Sequence, residues 1–466
     1  MPRQRRQPKL LTAFDAPIPP MEERRTAGKA LRASTPRAAH GVWEPPADRR
    51  DPVEVLVEQN RTRDQQLVPF RFQRMAVSPF TFLRGSALVM AHDLAGTPSA
   101  GPELHLCGDA HLSNFGLFNS PDRRLVFDLN DFDETAPGPF EWDVKRLGAS
   151  IVVAARDNQM DSVGARRAVL AAVNSYTDWM QRYSTLAHLD VWYARIDASE
   201  LLDFLDRPAR RRVETSLGRV ARKDHLRALG KLTEMVDGRR RIVSDPPFIE
   251  RIDVPGLQQR LESAFGEYRE SLTHDRQELF DRYRFVDFAR KVVGVGSVGT
   301  RCWMALFQGP NGAPLFLQLK EASPSVVQLA LERDGAVHNG RRVVEGQRAL
   351  QAASDVLLGW AKDAETGIDY YIRQLWDAKG SANIAAMRPA MFTTYAMFCG
   401  WALARAHART GDSVTISGYL GTSARFAEAI ADFSEAYADQ SERDHAALVA
   451  AIERGAVAIE PVAPTA

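Results

Sequence analysis

From Cys107 to Asp143 the chain reads CGDAHLSN, then FGLF, then LVFDLNDFDETAPGPFEWDV. Two short apolar runs, Phe115–Phe118 and Leu125–Leu129, flank Asn119-Ser-Pro-Asp. That turn chemistry between apolar runs predicts a β-hairpin. The hairpin constrains the fold because it ties a polar loop in front of it to an acidic knot behind it. Asp109 and Asn114 stand five apart just before the first strand, and Asp131-Phe132-Asp133 leaves the second. Asn114 and Asp131 should therefore lie side by side at the open end. Two oxygen ligands so placed suit a Mg²⁺ ion that bridges phosphate oxygens. Solvated acids on a surface turn would carry the same letters.

A second chemistry fits part of this stretch. Gly108-Asp109-Ala110-His111 matches the G-D-x-H that opens two-metal phosphoesterase sites, where Asp and His are ligands. Such a site needs further Asn, Asp and His ligands from later loops. The chain has ten His, but no Gly-Asn-His or Gly-His-x-His follows. The phosphoesterase is kept as the alternative.

Composition narrows the rest. With 466 residues, 45% hydrophobic and 26% charged, the chain has room for two or three globular domains. A net charge of +1 creates no overall field for nucleic acid or an anionic membrane, so neither is an expected partner. Three scattered cysteines (Cys107, Cys302, Cys399) argue against a disulfide framework and a zinc cluster. No run approaches the roughly 18 apolar residues of a membrane span, and no apolar signal core opens the chain. The expectation is a cytoplasmic protein. Residues 1–52, rich in Arg and Pro, read as a disordered leader. Next come a segment with the polar loop and a helical insertion (53–280), a β-rich segment (281–380) and C-terminal helices that pack on the first segment (381–466).

The β-rich segment holds the other informative stretch, FVDFARKVVGVGSVGTRCWMALFQGPNGAPLFLQLK, from Phe285 to Lys320. Gly294, Gly296 and Gly299, with Ser297 between them, make a G-x-G-x-x-G. In a dinucleotide-binding fold the third Gly opens a helix. The residues after Gly299 are instead β-prone, and Gly309-Pro-Asn-Gly turns the chain before a strand that ends in Lys320. Strand, glycine turn, strand, turn, strand and Lys suit a phosphate cradle of backbone amides with one point charge. The Lys then needs a carboxylate to hold it, and Glu345 on a helical run, or Glu332, is the candidate. Elsewhere, Phe80–Ala95 reads as one helix carrying Arg84, which could reach a phosphate, although an Arg so placed more often pairs with a carboxylate. Asp237-Gly238 reads as a type I′ hairpin turn, and Pro389–Arg409 as a buried helix in which His407 is a satisfied core histidine.

The combination CGDAHLSNFG, FDLNDFDE, GVGSVGTR, QLKEA and RVVEGQR resembles the family catalogued as domain of unknown function 2252. That family looks like the protein-kinase-like superfamily, nearest to aminoglycoside phosphotransferases. Their H-G-D-x-H-x-x-N loop is similar to Cys107–Asn114. Their metal strand is similar to Asp131-Phe-Asp133 with Gly138-Pro139 and Trp142-Asp143. The resemblance implies an α+β, two-lobed, kinase-like fold that binds ATP and Mg²⁺ and transfers a phosphoryl, or a nucleotidyl, group to an unknown acceptor. It implies Asp109 as catalytic base, Asn114, Asp131 and Asp133 as metal ligands, and Asp143 as a brace for the loop. Gly294, Gly296, Ser297, Gly299, Lys320 and Glu345 would hold the nucleotide. Cys107 replaces the usual His, and Asp133 replaces a Gly. The catalytic loop also precedes the glycine turn by about 185 residues, an inverted order that a circular permutation restores. A nucleotide-binding pseudokinase is the non-catalytic alternative.

Overall fold

The computed structural model describes residues 17–460 apart from 208–209, 212, 216–217, 219–224, 247, 252–255, 292–297 and 376–379. Helix and strand are mixed in an α+β arrangement. Chain 17–52, expected to be disordered, carries helix α1 (Met21–Ala30) and two short 3₁₀ turns. Its sequence is poor in apolar residues, and apolar area is only part of what holds it. Arg32 Nε donates to Tyr419 O at 2.8 Å, Arg24 pairs with Asp412, and Trp43 packs edge-on against Phe433 and Tyr437. Guanidinium bonds to backbone carbonyls do not register in a hydrophobicity count, which is why composition misjudged this segment.

Helix α2 (Pro52–Gln59) starts on an Asp51 cap that accepts from Val53 N at 2.7 Å. The run from Phe80 forms two helices, α3 (Pro79–Gly85) and α4 (Ala87–Ala95), broken at Ser86 where ψ reaches 35°. Strand β1 (Glu103–Leu106) leads into the polar loop. The hairpin follows with β2 (Phe115–Asn119) and β3 (Leu125–Leu129), and β4 (Ala136–Pro139) returns to pair with β1. Helix α5 (Phe140–Asp157) leaves from there with Glu141 and Asp143 in its first turn, where helix N-termini favour acids. It packs among α6 (Ser162–Tyr183), the long C-terminal helices and α3.

The sheet has six antiparallel strands. β7 (Ile249–Arg251), β8 (Arg284–Lys291), β9 (Cys302–Gln308), β10 (Pro314–Glu321), β11 (Gly359–Lys362) and β12 (Asp369–Gln374) stand in the order β11-β12-β10-β9-β8-β7. Ahead of it lies a separate hairpin, β5 (Thr233–Val236) with β6 (Arg239–Ile242), turning at Asp237 and Gly238 with φ +50° and +74° as a type I′ turn requires. Period-two alternation covers both faces of the sheet. Ala305 and Phe307 pack under helix α7 (Leu257–Ser271), and Met304 and Leu306 pack with Leu232 and Ile242 on the other side. Because β7 and α7 come from ahead of residue 281, the sheet unit begins earlier than the expected 281–380 segment. Helix α8 (Asn339–Leu350) packs on β11 and β12.

The C-terminal helices are α9 (Pro389–Thr410), α10 (Ser413–Leu420) and α11 (Arg425–Glu453). α9 crosses α6 so closely that a Cβ at Gly400 would stand 1.9 Å from Ala172 O, and the Trp179 and Trp401 rings stack at 4.1 Å. Among the described residues no helix is long and apolar enough to cross a membrane.

Candidate functional site

The polar loop is shaped by one glycine and one buried acid. Gly108 adopts φ +85°, and a Cβ there would lie 2.0 Å from Glu134 O, so only Gly fits. Asp143 accepts from Cys107 N at 2.7 Å and Gly108 N at 3.0 Å. His407 Nε2 reaches the same carboxylate at 3.2 Å, while its Nδ1 meets Tyr176 OH at 3.0 Å. A ring protonated on Nε2 alone satisfies both partners, so His407 is spoken for. The Cys107 thiol beside it is pushed far up by burial and by the Asp143 charge, which leaves it no nucleophile.

Asn114 and Asp131 do meet at the hairpin mouth. Asn114 Oδ1 accepts from Asp131 N at 2.7 Å, and its Nδ2 donates to Asp109 O and Asp131 O, both at 3.0 Å. Flipping this amide would oppose donors to donors, so the network itself sets its orientation. Asn114 therefore works as a clamp joining the loop to the acidic knot, with one side of Oδ1 already engaged.

Asp109 borders the cavity with its side chain 21% exposed. Arg146, buried one turn after Asp143 on α5, reaches its Oδ1 at 2.8 Å and also donates to Leu83 O. His111 Nε2 lies 3.7 Å from Asp109 Oδ2. Burial pulls the His111 ring down to about 4, against the Asp109 charge and with help from Arg84 and Arg146, so it is neutral near pH 7.

Lys320 closes the site from the sheet. Its ammonium, 3% exposed, lies 2.6 Å from Asp133 Oδ2 and 3.7 Å from Asp131 Oδ2. Burial works to lower its pKa, but the two carboxylates outweigh that and lift it well above the ordinary value. The expected partner Glu345 is a correction. It points to solvent and bonds Arg341 at 2.7 Å, while Glu332 is exposed in a left-handed conformation. The reason is the face that α8 buries: Gly346 abuts Thr135 so tightly that a Cβ would stand 2.3 Å from its methyl. That register turns Arg342 inward, where it donates to Thr135 O, Asp133 O and Ser323 O. The helix thus grips the backbone of the acidic knot instead of the lysine.

Gly294, Gly296 and Ser297 lie outside the described residues. Gly299 is described: it turns at φ +87°, its carbonyl accepts from Asp64 N at 2.8 Å, and strand β9 follows rather than a helix. β8 and β9 pair antiparallel on either side of this turn. Those observations do not fit a dinucleotide-binding turn, whose third Gly opens a helix.

Part of this constellation borders one cavity of about 670 Å³. Asp109, Asn114, Asp131 and Asp133 form one wall, and Thr300 and Glu321 come from the sheet. The wall from residues 50–92 brings in Arg84, a candidate for reaching a phosphate, and Arg63, which was not anticipated. Arg63 donates to Val298 O at 2.8 Å, tying that wall to the glycine turn. Glu134 is raised to about 7 by burial, against the hydrogen bond from Val326 N. Arg146 was legible in principle, since i and i+3 on one helix put it beside Asp143. Nothing local in the sequence marks Arg63.

The residues present suit a metal ion only in part. Asp131 and Asp133 converge, and Asp133 Oδ1 is buried without a partner. No group of three or more His, Cys, Asp or Glu that could hold a metal occurs among the described residues. Mg²⁺, which keeps several waters and leans on substrate phosphates, is the ion such a pair fits.

No curated protein and no solved structure matches the chain. Residues 63–451, which span the loop, the hairpin, the sheet and most of the cavity lining, match the family described as an uncharacterized protein conserved in bacteria, DUF2252, and the chain belongs to that family.

Proposed function

We propose that the protein is a kinase-like phosphotransferase that uses ATP and Mg²⁺, with the sheet as nucleotide lobe and the helical body as catalytic lobe in circularly permuted order. One observation carries the reading: Lys320, at the end of β10, meets Asp133 and Asp131, far away in the chain, beside the cavity that Asp109 borders. A buried Lys near the end of a central strand, facing two carboxylates that follow β3, suits holding a phosphate chain. Asp131 and Asp133 would hold Mg²⁺, with Asn114 clamping the strand between them and the loop. When bound, the ion would neutralise charge on the phosphate oxygens. Lys320 exchanges its Asp133 partner for phosphate oxygens. Asp109, one oxygen fixed by Arg146, uses Oδ2 to orient the acceptor hydroxyl and take its proton. Glu345 has no part in this scheme.

The phosphoesterase alternative gains His111, a neutral ring beside Asp109 whose Nδ1 is buried without a partner. It lacks support from a third ligand, and Asp109 is already held by Arg146. Thermal unfolding with ATP, with and without Mg²⁺, tests the proposal. Near 100 times Kd the nucleotide should add about 2.7 kcal/mol, and only with the metal. No shift in either case would end the kinase reading, and the metal-bound phosphoesterase would instead respond to divalent ions alone.

A further inference from the structure

Arg84 has no counterpart in the scheme above. It ends helix α3 and borders the cavity, and its Nε is buried without a hydrogen-bond partner. The contact it keeps is with the Phe80 ring, 6.0 Å away. The other cavity arginines are engaged. Arg71 bonds Asn60 and Gly85 O, Arg63 bonds Val298 O, Arg50 bonds Glu58 and Arg373 bonds Gln318, while the buried Arg146 bonds Asp109. A half-buried guanidinium normally finds a carboxylate, because burial without one is costly. The obvious carboxylate on this wall is Asp109, and Arg146 already occupies it.

Resting on the phosphotransferase reading, we infer that Arg84 anchors an anionic group, a carboxylate or a phosphate, on the acceptor whose hydroxyl Asp109 serves. The planar fork of a guanidinium matches either oxyanion. Its position favours the acceptor over the nucleotide. Burial lowers the Arg84 pKa and the Asp109 charge opposes this, whereas Arg63 is balanced by Glu134, Glu321 and Asp133 on the metal side. Neutral His111 adds no competing charge beside Asp109. The acceptor class is thus a small acidic alcohol: hydroxyl at Asp109, anion at Arg84.

The test is calorimetric titration of inorganic phosphate and of acetate into the full chain, alone and saturated with β,γ-imido-ATP and Mg²⁺. The expected result is that one or both anions bind the saturated protein and that Arg84→Met weakens this at least tenfold. Affinity for the ATP analogue should stay within twofold. Whichever of phosphate and acetate binds more tightly identifies the oxyanion. Displacement of the anion by the analogue, or an equal fall in analogue affinity, assigns Arg84 to the nucleotide and overturns the inference while sparing the phosphotransferase reading. If the analogue fails to bind the unaltered protein, that reading falls. The anion titration then decides on its own, with an Arg84-dependent site supporting the anchor and an Arg84-independent one overturning it. Arg84→Lys keeps charge without the fork and serves if the Met variant is unfolded. An intermediate loss supports the anchor, and no loss overturns it.

Discussion

Asp143 and Asp133 are the same residue type on the same stretch of chain, and the fold uses them in opposite ways. Asp143 is 1% exposed and accepts from two backbone amides and from His407. Asp133 is 28% exposed, borders the cavity, holds one oxygen against Lys320 and leaves the other without a partner. The first is a closed bracket and the second an open site. The difference teaches that a carboxylate's role follows from whether its lone pairs are all taken by the protein, and burial alone does not decide it. Lys320 is nearly as buried as Asp143, yet its partners border the cavity.

The comparison can be broken in several places. The largest expected effect is on the open side. Asp109→Asn should lower any transfer or ATPase rate by roughly 10²–10⁴ while nucleotide affinity barely changes, the usual cost of losing a general base. Equal losses in binding and turnover would move Asp109 among the metal ligands.

On the closed side, Asp143→Ala leaves the Cys107 and Gly108 amides and His407 Nε2 unpaired in the core. Urea unfolding should report a loss of about 3–5 kcal/mol, since each buried donor left unsatisfied costs about 1–3 kcal/mol. A loss under about 1 kcal/mol would mean that the bracket is not what shapes the loop.

Asp131→Ala should do the reverse, leaving the fold standing but abolishing the Mg²⁺-dependent part of ATP stabilisation, about 2.7 kcal/mol near 100 times Kd. Calorimetry that found full Mg²⁺-dependent affinity in this variant would refute the open-site assignment.

A second closed bracket responds to acid. His40, buried in the N-terminal segment, meets Tyr419 OH at 2.7 Å, and burial, aided by the Lys145 charge, lowers its pKa to about 3. The unfolded chain takes up a proton below about 6.5 and the folded chain does not. Stability therefore falls as pH drops from about 6.5 toward 3, by up to about 1.4 kcal/mol per pH unit from this group. His40→Gln should flatten that part of the acid limb, as measured by unfolding at pH 7 and pH 5. An unchanged slope would show that the N-terminal segment is not docked through His40.

The smallest effect is expected at Glu345. Its exposed pairing with Arg341 is worth about 0.3–0.5 kcal/mol, so Glu345→Ala should move neither stability nor nucleotide affinity beyond that. A tenfold loss of nucleotide affinity would restore Glu345 as the lysine's partner.

Local chemistry by itself determined the hairpin of Phe115–Leu129, the type I′ turn at Asp237-Gly238, the strands around the glycine motif and the buried helix from Pro389. Each depends on residues within one turn or one apolar period, so each is written in contiguous sequence. The meeting of Asn114 with Asp131 was legible for the same reason, since a hairpin of known length fixes what stands at its mouth. Only tertiary packing decided the rest. The register of α8 is set by Gly346 against Thr135, so Glu345 faces water and Arg342 faces the acidic knot. The order of residues 17–52 rests on Arg24 and Arg32 reaching Asp412 and Tyr419 at the other end of the chain. Arg63 and Arg84 join the cavity only because helices from ahead of the loop fold over it. Such contacts follow from where surfaces close on one another, and no window of neighbouring residues encodes that distance.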